Sequence, residues 1–77
     1  MLKKEKKLII TYYTSDMAFA TEKACMKENI DGELISAPRK LSADCGISYA
    51  THVDNKDRIK ATLEKYNIEY DKIVELE

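Results

Sequence analysis

Read from its amino end, the chain first gathers apolar side chains at Leu8-Ile9-Ile10-Thr11-Tyr12-Tyr13. A short β-branched and aromatic run of this kind predicts a strand buried on at least one face. Thr14-Ser15-Asp16 follows with side chains that cap helix amino ends, and Asp16 also suits the positive end of a helix dipole. The pattern predicts a helix from there to about Asn29, whose narrowest shared inner face is Met17, Ala18, Thr21, Ala24 and Cys25. Asn29-Ile30-Asp31-Gly32 reads as its exit, and Glu33-Leu34-Ile35-Ser36 as a short second strand running up to Pro38.

Farther on, Ile47-Ser48-Tyr49-Ala50-Thr51-His52-Val53 alternates larger apolar with small polar groups, as a half-exposed strand would. Asp54 is placed as the next N-cap, with Asp57 three residues on in a capping-box position. Ile59, Leu63 and Tyr66 recur at i, i+4 and i+7, the core stripe of a helix that Asn67 ends. Tyr70 to Leu76 supplies the last strand. The predicted order β-α-β-β-α-β is the split βαβ arrangement, an α+β ferredoxin-like sandwich with a four-stranded antiparallel sheet and two helices on one face. The two halves resemble each other only in this pattern, with no internal repeat strong enough to use.

Length changes the picture little: 77 residues make a single domain, 1–77, with the basic opening 1–6 expected to be a frayed, solvated terminus. Charge excludes more. A net charge of -1 and a pI of about 5.8 leave no overall positive field for nucleic acid phosphates or anionic lipid. Tyr12 and Tyr13 could suggest base stacking, but strand alternation lets only one face outward, and no glycine-aromatic RNA-binding motif accompanies them. No apolar run approaches a membrane span, and the Leu-Ile-Ile after the basic opening is too short for a secretory core, so a cytoplasmic protein is expected. Cys25 and Cys45, twenty positions apart, have neither the spacing nor the histidine company of a metal or disulfide framework. No metal and no cofactor is expected.

Candidate chemistry gathers in one stretch. Ala37-Pro38-Arg39-Lys40-Leu41-Ser42-Ala43-Asp44-Cys45-Gly46-Ile47-Ser48 holds the chain's only proline, one of its two cysteines and one of its two glycines. Thiolate is the reactive form of cysteine, and nearby cations lower its pKa; Arg39 and Lys40 are the nearest here, while Asp44 works against them. Gly46 frees the backbone beside the sulfur for positive φ and for close approach of a partner or anion. The plainer alternative makes Cys45 a small hydrophobe under a loop and Gly46 a turn residue. Cys25, mid-helix on the inner face, reads as a packed, inert thiol. His52, the single histidine, is given no role beyond a surface or capping one.

The run Pro38-Arg39-Lys40-Leu41-Ser42-Ala43-Asp44-Cys45-Gly46-Ile47 resembles the signature P-R-x-L-S-x-x-C-G-hydrophobic of the selenium/sulfur carrier protein-like family of small bacterial domains. The likeness extends to Thr14-Ser15, to Ala18 and Glu22-Lys23, and to Tyr66-Asn67-Ile68-Glu69-Tyr70. The resemblance implies a carrier, not a turnover enzyme. Cys45 would hold sulfur or selenium as a persulfide or selenopersulfide between a protein donor and a protein acceptor, supported by Pro38, Arg39, Lys40, Ser42 and Gly46. At the first-strand end, Asp16-Met17 departs from the more polar or histidine-containing residues expected of relatives. Two other readings stay open: a binding or assembly module pairing its sheet in a homodimer, and a redox sensor that oxidises Cys45.

Overall fold

The computed structural model describes residues 6–37 and 46–76. Their order is β1 (Lys7–Thr11), α1 (Ser15–Lys27), β2 (Gly32–Ser36), β3 (Ile47–His52), a 3-10 turn (Val53–Asn55), α2 (Lys56–Lys65) and β4 (Lys72–Leu76). The strands form one antiparallel sheet in the order β2-β3-β1-β4, so the fold is the α+β, ferredoxin-like arrangement that the pattern predicts.

Register assigns the two faces. Leu8 pairs with Thr51 and Glu75, and Ile10 with Tyr49 and Ile73. Leu8, Ile10, Tyr12 and Tyr49 pack in one buried cluster with Ala18, Ala24 and Cys25 of α1 and Ile59 and Leu63 of α2. Alternation sends the intervening residues to the other side, where Ile9 and Ala50 pack with Ile35, Val74 and Leu76 and no described helix joins them. Tyr12 is fully buried and Tyr13 is 55% exposed, the split that strand alternation requires.

Two expectations are corrected. β3 is not half exposed: Ser48, Tyr49, Ala50 and Thr51 are all buried, because β3 runs between β2 and β1 and both of its faces are covered. Asp54 is not the cap before α2. Asn55 holds the N-cap position of α2 without a side-chain bond, and His52 caps the preceding turn Val53–Asn55, its Nδ1 accepting the Asp54 N–H at 3.1 Å. Lys6 is held to the turn after β3, its carbonyl accepting the Val53 N–H at 3.3 Å. Residues 1–5 lie outside the described residues.

Both helices stop by the same device. Asn29 and Asn67 adopt positive φ, 59° and 55°. The next residues, Ile30 and Ile68, return their N–H groups to the carbonyls of Cys25 and Leu63, each at 2.8 Å, and both isoleucines are buried. This is the Schellman ending, in which the left-handed residue turns the chain and an apolar side chain seals the turn. Lys27-Glu28-Asn29-Ile30 and Lys65-Tyr66-Asn67-Ile68 are thus equivalent in structure, a local repeat visible only once the hydrogen bonds are known.

Candidate functional site

The predicted site lies on the connection from β2 to β3. Ser36 pairs with Ile47, and one further bond closes the hairpin: the Ala37 N–H donates to the Gly46 carbonyl at 3.0 Å. Residues 38–45 form the connection across this closure, so Pro38, Arg39, Lys40, Ser42 and Cys45 lie outside the described residues. Gly46, immediately after Cys45, is exposed, with φ +76° and nothing among the described residues within 4 Å of where a Cβ would stand. Its requirement for glycine is conformational, since L side chains rarely adopt this φ.

The hairpin root is braced by its neighbours. Ser48 pairs with Thr11 on one side and Ile35 on the other. The Thr11 hydroxyl donates to Asp71 Oδ2 at 3.3 Å and accepts the Lys72 N–H at 3.2 Å, while the Asp71 N–H donates to the Thr11 carbonyl at 2.7 Å. These bonds tie the start of β4 to the same end of the sheet. Antiparallel pairing also brings the carboxyl end of β1, Tyr13 and the start of α1 to this end. α1 begins after Thr14 without a side-chain cap, although the sequence offers capping residues there.

Beside this, fully buried Ser48 leaves its Oγ with no hydrogen-bond partner among the described residues. Sequence reasoning passed over it because a small polar residue in an alternating strand looks like a solvent-facing position.

The other thiol is placed as predicted. Cys25 is buried on the inner face of α1, and burial pushes its pKa up, with a hydrogen bond to Tyr49 opposing. Tyr49 is likewise held neutral, by burial first and by Cys25 second. His52 borders a shallow hollow of about 330 Å³ with Lys7, Asp31, Glu33 and Thr51. Strand direction puts it at the opposite end of the sheet from Gly46. Among the described residues no group of three or more His, Cys, Asp and Glu side chains could hold a metal ion, and no described helix is long and apolar enough to cross a membrane.

An α+β, ferredoxin-like domain whose β2–β3 hairpin closes at Ala37 and Gly46 is the class of protein the described residues define. The family model described as "putative Se/S carrier protein-like" matches residues 7–75, and the chain belongs to that family. No curated protein and no solved structure matches it.

Proposed function

We propose that this protein carries sulfur or selenium on Cys45, taking it from a protein donor and passing it to a protein acceptor in a reducing, cytoplasmic setting. Membership of the carrier-like family carries this reading. The closed hairpin with open, left-handed Gly46 next to the cysteine supports it, because a transferable group needs room beside the sulfur. Arg39, Lys40 and Ser42 are the candidates for stabilising the terminal anion, with Pro38 stiffening the entry to the loop.

Loading needs no net oxidant. The Cys45 thiolate attacks the terminal sulfur of a donor persulfide; the new S–S bond forms as the donor S–S bond breaks, and the donor leaves as a thiolate. Cys45 is left as a persulfide, and delivery to an acceptor thiolate is the same exchange in reverse roles. The protein contributes position and charge stabilisation, with no turnover chemistry of its own.

Incubation with sodium polysulfide, a donor that needs no docking surface, followed by intact mass and peptide mapping, tests the reading. One added sulfur at Cys45, removed by a thiol and absent from Cys45→Ser, is the expected result. No addition at Cys45, or equal addition to the Cys45→Ser variant, overturns it.

A further inference from the structure

Charged side chains of both signs border the hollow at the far end of the sheet from Gly46. Lys7 pairs with His52 across β1 and β3, and Glu33 pairs with Ala50 across β2 and β3. Lys7 is two residues from Ile9, His52 two from Ala50 and Glu33 two from Ile35, so all three belong to the face opposite the helices. Asp31, one step before β2, is held to β3 by the Thr51 hydroxyl, which donates to its carbonyl. Two carboxylates therefore stand on the β2 side of the hollow and an imidazole and an ammonium on the β3 and β1 side, on strands ~4.8 Å apart.

Elsewhere on this surface opposite charges pair with one another, Lys6 and Lys56 with Glu75 and Lys65 with Glu28. Around the hollow they do not: among the described residues the side chains of Lys7, Asp31 and Glu33 have no hydrogen bond and no ion pair. His52 is prepared for the same use. Its Nδ1 accepts the Asp54 N–H, so the ring hydrogen is on Nε2, which is left as a donor. Ala50 supplies a floor of one methyl group among longer side chains, and the resulting volume of about 330 Å³ is at the lower end for small-molecule sites.

We propose that this hollow binds a free α-amino acid, its carboxylate held by Lys7 and His52 and its ammonium by Asp31 and Glu33. A zwitterion satisfies both sets at once, each through charge-assisted hydrogen bonds. A simple anion would meet the two carboxylates and a simple cation would meet Lys7, so like charge disfavours either alone. The amino acid's side chain is left to the Ala50 floor, which suits a small one. The inference stands apart from the carrier reading, because the hollow and Gly46 lie at opposite ends of the sheet and either can fail alone.

Titration of the isotope-labelled whole chain with L-alanine, read by amide chemical shifts, tests it. Shifts at Gly32, Glu33, Ala50, Thr51 and His52 should saturate with a dissociation constant of about 1 mM, the weak affinity of a very small ligand in a shallow site. Propionate and ethylamine, which keep one charge each, should bind at least ~10-fold more weakly. Lys7→Gln and Glu33→Gln, at exposed positions whose replacement spares the core, should each weaken L-alanine binding by about the same factor. Lys60→Gln, on α2, should leave it unchanged. Propionate binding as tightly as L-alanine would make the hollow an anion patch and overturn the proposal. Unchanged affinity in both hollow variants, or no saturable shift up to about 50 mM L-alanine, would overturn it as well.

Discussion

At the scale of single residues, two glycines do unlike work. Gly46 meets open space and is needed for its φ, whereas Gly32 is needed for its missing side chain: a Cβ there would lie 2.6 Å from Cε2 of the Tyr49 ring. Tyr49 is itself buried in the core and hydrogen-bonded to Cys25, so moving its ring disturbs that packing. Gly32→Ala is therefore expected to lower stability by about 2 kcal/mol through overpacking, measured as a fall in the chemical denaturation midpoint with an unchanged slope. An unchanged midpoint would mean that the ring relocates. The sequence shows Gly32 only as part of a helix exit; its dependence on Tyr49 follows from pairing Gly32 with Thr51 on β3, a contact across nineteen residues. Cys25, by contrast, was legible as inward-facing, because helical periodicity acts locally.

Between elements, the two helices are joined at one corner. The Glu28 carboxylate, at the end of α1, accepts from Lys65 Nζ at 3.0 Å and from the Tyr66 hydroxyl at 2.9 Å, both at the end of α2. The Glu28 carbonyl accepts from Arg58 at 2.7 Å. These bonds, that from Lys65 foremost, hold the Glu28 carboxyl below the usual carboxylate range. A carboxyl lowered on folding adds stability that is present above its unfolded value, ~4.3, and lost as pH falls through the lower folded value. Glu28→Gln should accordingly lose less stability than wild type when the denaturation midpoint is followed from neutral pH into acid. Parallel acid limbs would show that the corner adds nothing to folding. The size is kept small by solvent, which still reaches the half-buried carboxylate. The existence of both helices and their stops at Asn29 and Asn67 could be read from local pattern, but no local signal announced that Glu28, Lys65 and Tyr66 meet.

For the whole molecule, the core keeps one thiol and one phenol neutral together. Burial raises both Cys25 and Tyr49 above their ordinary values. In the unfolded chain they ionise near ~8.5 and ~10, so folded protein binds more protons above those values and stability falls as pH rises. Denaturation midpoints from neutral pH upward should decline, and Tyr49→Phe should flatten the decline above pH ~10; an unaltered slope in that variant would place the effect elsewhere. By itself the sequence determined the kind and order of the elements, the inward face of α1, the stop at Asn67 and the resemblance carried by the run from Pro38 to Ile47. All of these depend on spacing along the chain. Tertiary structure decided what depends on strands meeting across it: that β3 is central and buried on both faces, that His52 and not Asp54 caps the turn before α2, and that Ser48 is enclosed with its hydroxyl unpartnered among the described residues. Pairing of distant strands sets burial, and burial turns an ordinary serine into one whose hydrogen bond must be accounted for.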